Sequence, residues 1–392
     1  MYSKHKHLIV GGGFGGLRVA KLLANRDDIE ISIVSPQANF EYHGSLYRSA
    51  NGYSPLETVI PYREIFENTN IIYIQDFMVD INPQTRRVQL LSGRELSYDS
   101  ITLALGYEPE YFGIPGMREF SKTLYCLADA LELRKSLKSV AEINFNKSAL
   151  TKVIVAGGGP TGIETAVSVK RLFELVTGDS RVDVTLVEAQ SRILSSFNES
   201  ISYEVENRIS GSVDIRCNQK VIRATKDNLY IADQSPLPFD VLIWTAGSSA
   251  NGYFKQRSDI FEIDNRGRVI VNDYLMTKYD NIYVIGDSAS VKYSGTAYAA
   301  IEMGSYVASH IISKIDNKHI AKFTPSSPNY AIPTGPDSAV GVNQDIVYTG
   351  SEGWEYRRKL DLDALLLITT EEIARPHWEK GENIASLLAP KD

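Results

Sequence analysis

Clustered glycines between an apolar run and a helical pattern constrain this chain more than any other feature. Residues 7–16 read HLIVGGGFGG, and LRVAKLLAN follows directly. The apolar residues 8–10 predict a buried parallel strand, and apolar side chains then recur at helical spacing from Leu17 onwards. The glycines therefore lie in a strand-to-helix turn, and the start of the chain predicts an α/β unit.

Three of these glycines, Gly11, Gly13 and Gly16, match the pattern GxGxxG. In such a turn the first glycine permits the tight bend, the second lets the backbone approach phosphates, and the third lets helix and strand pack closely. The N-terminus of the helix adds free N–H groups and a partial positive charge. Because the required strand and helix flank the motif, it predicts binding of the pyrophosphate of a dinucleotide.

The same pattern occurs a second time, in residues 152–162, which read KVIVAGGGPTG. Gly157, Gly159 and Gly162 take the three glycine positions, again after an apolar strand and before a helical pattern. A duplicated fingerprint is much less probable by chance than a single copy. The chain is therefore predicted to hold two dinucleotides.

The residue after the next strand predicts which nucleotide the second motif binds. The strand at residues 182–187 ends in Glu188, whose carboxylate can accept both ribose hydroxyls of NAD and would repel a 2′-phosphate. Arg192 follows four positions later and could pair with that phosphate, so NADP stays open as the alternative. We expect NADH.

Later residues return the chain to the first motif. Residues 240–247 and 282–285 read as buried strands, and the second leads directly into GDSA at residues 286–289. This arrangement lets Asp287 reach a hydroxyl of a flavin's ribityl chain, with a helix N-terminus facing the flavin ring. We therefore predict an α/β fold of two Rossmann-like dinucleotide-binding domains, the second inserted into the first, plus a small C-terminal region. The predicted parts are residues 1–115 with 272–325 for FAD, residues 116–271 for NADH, and residues 326–392 as the C-terminal region.

Composition excludes several classes of protein. The chain of 392 residues has 43% hydrophobic residues and a formal net charge of −7, which argues against nucleic-acid binding. No apolar run approaches the roughly 20 residues that span a bilayer. The strand near residue 7 leaves no room for a secretory signal, and two cysteines form no disulfide framework. We expect a cytoplasmic protein.

The segment after the second strand departs from the usual dinucleotide pattern. Ser35, followed by Pro36, stands where an acid would bind the adenosine ribose, although a serine hydroxyl can also form that bond. Residues 39–52 then occupy the place where flavoenzymes of this build position groups near the isoalloxazine. This segment contains no cysteine. His43 is a candidate proton donor there, and the alternative is a loop histidine that only packs or hydrogen-bonds.

Together these motifs carry a resemblance to the flavin-dependent pyridine-nucleotide oxidoreductases, over about residues 6–314. Within them the chain resembles the type II NADH dehydrogenases, the single-subunit NADH:quinone oxidoreductases. The segments that carry the resemblance are SPQANFEYHGSLYRSA (35–50), LALG (103–106), GGGPTGIETA (157–166), VTLVEA (184–189), IWTAG (243–247) and IYVIGDSA (282–289).

The resemblance implies two cofactors and no metal site. The resemblance implies that FAD is held by Gly11, Gly13, Gly16, Ser35 and Asp287, and that NADH is held by Gly159, Gly162 and Glu188. Further expected cofactor-binding positions are Phe14, Gly15, Pro36, Gly106, Thr161, Gly247, Gly286, Ala297 and Tyr298. It also implies a role for Glu164 near the flavin and nicotinamide, as a proton carrier. From the sequence alone, Glu164 is expected in the first helical turn, where a charge complementing the helix dipole is the alternative.

The acceptor site departs from the family. The family's quinone-site helix reads Ala-Gln-x-Ala-x-Gln, whereas residues 297–302 read AYAAIE, so Tyr298 and Glu302 replace both glutamines. A tyrosine can hydrogen-bond and stack on a quinone, so Tyr298 is an acceptor-site candidate. An ionised carboxylate donates no hydrogen bond, so Glu302 helps only if it is protonated or receives protons. The alternative is that Glu302 points to solvent or pairs with a basic residue.

The C-terminal region also departs from the family, whose C-terminus commonly carries amphipathic or basic membrane-seating helices. Residues 326–392 contain 11 acidic and 6 basic side chains, a net charge of −5. Their apolar residues favour core or dimer contact over a lipid anchor. These residues are Trp354, Leu360, Leu362, Leu365, Leu366 and Trp378. A homodimer and peripheral contact with the inner face of the cytoplasmic membrane both remain open.

The sequence therefore predicts an FAD enzyme that takes hydride from NADH and passes electrons to a quinone or another small acceptor. One alternative is a soluble NADH oxidase or diaphorase that uses oxygen. Another is a redox-sensing protein that binds FAD and NADH and turns over slowly. Sulfide:quinone oxidoreductases share the architecture but depend on paired cysteines near the flavin. Cys126 and Cys217 are better explained as ordinary small apolar residues, and no cysteine follows Cys217.

Overall fold

The computed structural model describes residues 4–383. The last part of the predicted C-terminal region, residues 384–392, lies outside the described residues. The strands are β1 (His5–Val10), β2 (Ile29–Ser35), β3 (Asn39–Glu41), β4 (Val59–Pro61), β5 (Ile71–Gln75), β6 (Met78–Asn82), β7 (Arg87–Leu90), β8 (Glu95–Ser97), β9 (Ser100–Leu103), β10 (Tyr107–Pro109), β11 (Thr151–Ala156), β12 (Val182–Val187), β13 (Asp214–Arg216), β14 (Val221–Ala224), β15 (Asn228–Ile231), β16 (Leu237–Pro238), β17 (Val241–Trp244), β18 (Ser248–Ala250), β19 (Ile282–Val284), β20 (Tyr330–Gly335), β21 (Ser338–Asn343) and β22 (Ile346–Thr349). The helices are α1 (Phe14–Leu23), α2 (Leu46–Ala50), α3 (Tyr62–Ile65), α4 (Met117–Phe120), α5 (Leu127–Asn146), α6 (Pro160–Thr177), α7 (Glu199–Ile209), α8 (Gly252–Gln256), α9 (Ala297–Ile315), α10 (Gly350–Ile368) and α11 (Glu371–Lys380).

The first domain is built on a five-stranded parallel sheet in the order β19-β9-β1-β2-β5. Strand β1 lies in its centre, with Val10 opposite Val34 of β2 and Leu103 of β9. The last four residues of β1 and all four residues of β9 are buried, as expected for a parallel sheet covered on both sides. The first glycine motif therefore lies at the carboxyl edge of the sheet, where open α/β sheets bind ligands.

The second domain repeats this arrangement with a four-stranded parallel sheet in the order β13-β12-β11-β17. Strand β11 runs between β12 and β17, and α6 follows it as α1 follows β1. Its core is separate from that of the first sheet and includes Val153, Ile163 and Val184. The predicted α/β fold with two dinucleotide-binding units is confirmed.

Two short strands carry the chain between the domains. Strands β10 and β18 pair antiparallel, with Tyr107 opposite Ala250. After β18, Phe254 and Phe261 pack in the core of the first sheet. The chain therefore returns to the first domain earlier than the predicted boundary between residues 271 and 272. Residues 251–271 contain one short regular element, α8, so the burial of this segment in the first core left no periodic signal in the sequence.

The C-terminal region bridges the two domains. The sheet β20-β21-β22 contributes Ile332 and Val340 to the second core, whereas α10 contributes Leu365 and Ile368 to the first. Leu365 is fully buried, which agrees with its interpretation as a core residue. Within residues 4–383, none of the helices is both long enough and apolar enough to cross a bilayer.

Candidate functional site

The first glycine motif forms an open cradle at the start of α1. Gly11 adopts φ +108°, and a Cβ there would lie 2.1 Å from the Ala104 carbonyl oxygen. A Cβ on Gly16 would lie 2.0 Å from the Gly11 carbonyl oxygen. A Cβ on Gly13 would meet no atom within 4 Å, and Gly13 caps α1 without a side-chain hydrogen bond. The protein's own backbone therefore requires the outer two glycines, and the middle glycine borders free space at an uncapped helix N-terminus.

The second motif has the same geometry. Gly157 adopts φ +125°, and a Cβ there would lie 2.7 Å from the Ala246 backbone nitrogen. A Cβ on Gly162 would lie 1.9 Å from the Gly157 carbonyl oxygen, whereas one on Gly159 would meet nothing within 4 Å. Gly159 also caps its helix without a side-chain hydrogen bond. Both cradles are thus shaped for a pyrophosphate, and their residues fit two dinucleotides.

Two residues implied for cofactor binding have structural contacts of their own. The Phe14 ring, on the first residue of α1, packs edge-on against Phe40 and Tyr42 with centroid distances of 4.9 and 5.3 Å. Gly15 lies where α1 and α9 pack closely, since a Cβ there would be 3.2 Å from the Ala300 carbonyl oxygen. The Phe14 side chain is thus used for packing within the protein, and Gly15 allows the two helices to approach. The backbone contacts of both residues to FAD stay predictions.

The end of β2 is arranged differently from the expectation for Ser35. Ser35 is buried, and its hydroxyl donates a 2.8 Å hydrogen bond to Oε1 of Gln37. Pro36 and Gln37, the two residues that follow Ser35, are exposed. Contact of Ser35 with the ribose stays a prediction. Gln37, which sequence reasoning passed over, is the exposed polar side chain at this position.

The GDSA turn is tied to the turn that follows β9. The Ser288 hydroxyl donates a 2.8 Å hydrogen bond to the carbonyl oxygen of Gly106, and Gly106 and Gly286 both adopt positive φ. Asp287 accepts a 2.9 Å hydrogen bond from the Gly295 backbone N–H. Burial raises the pKa of its carboxyl. A carboxylate held this way has acceptor capacity left for a ligand hydroxyl, as FAD binding requires.

Residues Ala297 and Tyr298 open α9, close after this turn in the chain. The helix is capped by Thr296, whose hydroxyl accepts a 3.1 Å hydrogen bond from the Ala299 backbone N–H. The two residues thus occupy the first positions of a helix N-terminus, which suits the predicted backbone contacts to a flavin. In the second domain, Thr161 takes the corresponding early position in α6. Gly247 packs tightly, because a Cβ there would be 2.3 Å from the Glu110 carbonyl oxygen.

Glu188 is fixed at the mouth of the second cradle. Its two carboxylate oxygens accept hydrogen bonds of 2.6 Å from the Gly158 N–H and 2.7 Å from the Gln190 N–H. Arg192 donates instead to backbone carbonyls, at 2.7 Å to Leu194 and 2.9 Å to Phe197. The Glu188 carboxylate therefore faces the cradle. The Arg192 guanidinium, which could compete for a 2′-phosphate, is hydrogen-bonded to the loop that follows.

Glu164 is neither in the first helical turn nor exposed. Helix α6 begins at Pro160, so Glu164 lies one turn further along, and the first-turn expectation was wrong because Gly159 is the cap. Glu164 is buried, and its Oε1 accepts a 2.6 Å hydrogen bond from Nη1 of Arg357 on α10. Burial raises the pKa of the Glu164 carboxyl, and the Arg357 guanidinium limits that rise.

Arg357 joins three parts of the molecule at this point. Besides Glu164, it donates to the Gly44 carbonyl oxygen at 2.6 Å, the Ala331 carbonyl oxygen at 3.0 Å, and Asp361 through Nε at 3.0 Å. The hydroxyl of Tyr42 donates to the same Asp361. A buried ion-paired cluster therefore connects the loop before α2, the second domain and the C-terminal helix.

A neighbouring cluster continues this buried charge. Glu57 accepts a 2.9 Å hydrogen bond from Nε of Arg48, also contacts Arg358 of α10, and lies in the short turn after α2. All three side chains are buried. Sequence reasoning missed both arginines of α10 because their partners are remote in the chain. The only available signal was two consecutive arginines in an otherwise acidic region.

The two acceptor-site candidates of α9 contact one residue of the segment that follows. The Tyr298 hydroxyl lies 3.1 Å from Oγ of Ser326, and the Glu302 carboxylate accepts from the Ser326 backbone N–H at 3.2 Å and from its hydroxyl. Within the described part of the chain, Glu302 forms no ion pair with a basic residue, and its carboxylate is held by Ser326 instead. Tyr298 is an exposed side chain, and the contact of both groups with an acceptor stays a prediction.

The two cysteines are free thiols in separate places. Cys126 caps the start of α5, and Cys217 follows β13. Burial raises the pKa of both thiols, which lowers their reactivity. This environment agrees with their interpretation as small apolar residues.

Comparison with known proteins supports the same architecture. The chain is 28% identical over 353 residues to a probable NADH dehydrogenase of Dictyostelium discoideum, covering 83% of this chain and 76% of the relative. It is 25% identical over 403 residues to the type II NADH:quinone oxidoreductase of Staphylococcus aureus, covering 93% and 96%. The solved structure of NDH2 from Plasmodium falciparum in complex with NADH matches with a TM-score of 0.84 at 16% identity, covering 96% of this chain and 97% of that one.

A second solved structure shows that the fold is shared beyond this group. The sulfide:quinone oxidoreductase of Aquifex aeolicus matches with a TM-score of 0.81 at 20% identity, covering 95% of this chain and 92% of that one. The family model for the pyridine nucleotide-disulphide oxidoreductases matches residues 5–304, which include both glycine cradles and the GDSA turn. With the paired cradles and this match together, the chain belongs to the pyridine nucleotide-disulphide oxidoreductase family of FAD-dependent enzymes.

Proposed function

We propose that this enzyme oxidises NADH and passes the electrons through bound FAD to a quinone. The observation that carries the proposal is the matched pair of glycine cradles, with Gly13 and Gly159 each bordering free space at an uncapped helix. Two dinucleotides held by one chain suit hydride transfer between them. The relatives in Dictyostelium and Staphylococcus, a probable NADH dehydrogenase and a type II NADH:quinone oxidoreductase, support the same activity.

The first domain is proposed to hold FAD. Gly11, Gly13 and Gly16 shape the pyrophosphate cradle, and Asp287 offers a carboxylate to the ribityl hydroxyls. When bound, FAD supplies the hydride acceptor and the electron donor of the cycle. The remaining chemistry is positioning, which the residues of this chain perform.

The second domain is proposed to select NADH over NADPH. The Glu188 carboxylate is fixed by the Gly158 and Gln190 N–H groups and keeps acceptor capacity for ribose hydroxyls. It would repel a 2′-phosphate. Arg192 is bound to loop carbonyls and is not placed to compensate.

Glu164 is proposed to hold and release a proton between the two nucleotide sites. Its carboxyl lies on α6 of the NADH-binding domain, and its partner Arg357 also binds the Gly44 carbonyl of the loop beside α2. Burial favours the protonated form, and the guanidinium favours the ionised form. Opposed effects of this kind place a carboxyl where it can change protonation during a reaction.

One set of measurements tests the proposal against its two alternatives. Purified protein should show flavin absorption bands, and NADH consumption should rise several-fold when a water-soluble quinone is added under nitrogen. Consumption that is as fast with oxygen as with quinone would support an oxidase instead. Flavin reduction without turnover by either acceptor would support a redox-sensing protein.

The place of the enzyme in the cell follows from its acceptor. Quinones of electron-transport chains reside in membranes, so we propose that the protein makes peripheral contact with the inner face of the cytoplasmic membrane. Sedimentation with native membranes, and release by high salt or carbonate, tests this contact. Recovery only in the supernatant of gently lysed cells would contradict it. A homodimer is tested separately by light scattering of the holoenzyme.

A further inference from the structure

One arginine serves two buried carboxyl groups between α6 and α10. Arg357 donates through Nη1 to Oε1 of Glu164 at 2.6 Å, and through Nε to the two oxygens of Asp361 at 3.0 and 3.2 Å. All three side chains are almost fully buried. Two carboxyl groups that share one positive charge compete for it, which favours a proton on one of them.

Backbone carbonyl groups fix the position of this guanidinium. Its Nη1 also donates to the Ala331 carbonyl oxygen at 3.0 Å, and its Nη2 donates to the Gly44 carbonyl oxygen at 2.6 Å. These acceptors belong to two other segments of the chain. Because the planar donors of an arginine point in fixed directions, Arg357 stays between Glu164 and Asp361 and does not turn to either one alone.

The two carboxyl groups differ in the number of hydrogen bonds they accept. Within the described part of the chain, the Glu164 side chain accepts one, from Arg357. Asp361 accepts from Arg357 and also from the hydroxyl of Tyr42, and Nη1 of Arg358 lies 3.7 Å from its Oδ2. Hydrogen bonds and positive charge stabilise a carboxylate. The proton of this pair is therefore expected on Glu164.

The electrostatic surroundings of Glu164 agree with this assignment. Burial raises the pKa of its carboxyl, the Arg357 guanidinium lowers it, and the charge of Asp361 raises it again. The phenols of Tyr42 and Tyr47 also face this group, and burial raises the pKa of both above that of an ordinary tyrosine. Both phenols therefore keep their protons near neutral pH, and Arg357 keeps its charge. Of these five described groups, only the two carboxyls can exchange a proton there.

The same contacts connect Asp361 to an element of each glycine cradle. The ring of its partner Tyr42 packs edge-on against Phe14, the first residue of α1, with a centroid distance of 5.3 Å. Its other partner, Arg357, binds Glu164 on α6, the helix that begins at the second cradle. Asp361 thus lies between the two proposed nucleotide sites without belonging to either cradle.

We propose that Asp361 is a positioning residue that stays ionised and, by sharing the Arg357 guanidinium, makes Glu164 the group that takes up and releases the proton. This inference rests on the proposed function, because it concerns the proton that Glu164 is proposed to carry. Reduction of a quinone by NADH consumes one proton besides the hydride. With Asp361 neutral, Arg357 would serve Glu164 alone and hold it as a carboxylate, which supplies no proton.

Infrared spectroscopy of the oxidised holoenzyme, without NADH or quinone, measures this proton directly. The carbonyl stretching band of a protonated carboxyl group that Glu164→Gln removes belongs to Glu164, and its intensity across a pH series gives a midpoint. In the wild type this midpoint should lie above the ordinary glutamate value of 4.5. Asp361→Asn keeps the size of the side chain and a hydrogen-bond acceptor, and should lower the midpoint by about one unit or more.

Two further variants separate charge from packing. Asp361→Glu restores the charge and should return the midpoint towards the wild-type value. Asp363→Asn is the matched control, because it removes a charge from the same helix, where Asp363 pairs with the exposed Lys359. Its midpoint should equal that of the wild type. The flavin absorption of each variant checks that the holoenzyme has formed.

The pH profile of kcat with NADH and duroquinone connects this proton to turnover. In Asp361→Asn its alkaline limb should move to lower pH by the same amount as the infrared midpoint. Equal midpoints in Asp361→Asn and Asp363→Asn would overturn the inference and leave the proposed function standing. A wild-type midpoint at or below 4.5 would overturn it even if no variant folds. A kcat profile that stays in place while the midpoint moves would support the sharing of Arg357 and overturn the proposed role of Glu164 in turnover.

Discussion

Nη1 of Arg357 lies 2.6 Å from Oε1 of Glu164, although 193 positions separate them in the chain. Both side chains are almost fully buried. Arg357→Met would leave Glu164 and Asp361 buried without their shared cation. Removing one partner of a buried ion pair costs about 3–5 kcal/mol, so we expect a clearly lower melting temperature.

A second variant separates this pair from general packing. Glu164→Gln in the Arg357→Met background removes one uncompensated charge and should recover part of the lost stability. Arg375→Met on α11, whose partner Glu371 is exposed, should leave the melting temperature unchanged. Thermal unfolding of the holoproteins checks all three. Equal losses for Arg357→Met and Arg375→Met would contradict a buried pair.

A substitution in each glycine cradle is expected to affect a different cofactor, FAD in the first and NADH in the second. Gly13→Val and Gly159→Val place a side chain where no protein atom lies within 4 Å, at φ values of −77° and −78° that valine tolerates. Both proteins should fold, but Gly13→Val should lose most of its flavin. Gly159→Val should keep flavin and raise the KM for NADH by more than about tenfold. Absorption spectra and steady-state kinetics measure the two effects.

The outer glycines serve as controls for this pair. Gly157→Val meets the Ala246 backbone and forces a valine to φ +125°, so it should destabilise the second domain itself. A Gly13→Val protein that retains full flavin would contradict the assignment of the first cradle.

Nucleotide preference should depend on Glu188 and not on Arg192. Glu188→Gln keeps the hydrogen-bond acceptor and removes the charge, so the ratio of kcat/KM for NADH over NADPH should narrow by about tenfold. Arg192→Gln should leave NADPH use unchanged, because its guanidinium is bound to loop carbonyls. Loss of NADPH turnover in Arg192→Gln would show that this arginine reaches the 2′-phosphate.

Glu302 should affect stability more than the acceptor. Its carboxylate holds Ser326, so Glu302→Ala frees the segment that follows α9 and should lower the melting temperature by a few degrees, the effect of about 1 kcal/mol. The KM for quinone should stay close to that of the wild type. A rise in this KM with unchanged stability would place the acceptor site beside α9.

Stability should depend on pH through His7. This residue is buried in β1 and hydrogen-bonded to the hydroxyls of Ser100 and Thr102 at 2.8 and 3.0 Å. Burial lowers its pKa to about 3 in the folded protein, from an unfolded value of 6.5. The unfolded chain therefore binds a proton first as pH falls, so stability is lost between pH 6.5 and 3, at up to about 1.4 kcal/mol per pH unit.

The variant His7→Gln isolates this effect, because glutamine offers a donor and an acceptor but does not titrate. Its melting temperature should fall less steeply than that of the wild type between pH 6.5 and 4. Identical slopes for the two proteins would show that other groups control the acid response.

Local sequence patterns determined the two parallel sheets and both cradles. A glycine turn between strand and helix, such as Gly11 to Gly16, is specified by neighbouring residues, because positive φ and close backbone approach exclude other side chains. The same holds for Gly157 to Gly162. The position of Glu188 at the end of its strand could likewise be predicted, because it follows from the βαβ unit.

Only the tertiary structure decided the contacts between remote segments. Arg357 reaches Glu164 because α10 packs across both domains, and no local period encodes such a contact. The pairing of Glu302 with Ser326 depends in the same way on a segment without regular structure. The rings of His43, Tyr107 and Tyr125 contact one another because three separate segments converge there. Local geometry thus follows from neighbouring residues, whereas the composition of a site follows from which distant surfaces the packed core brings together.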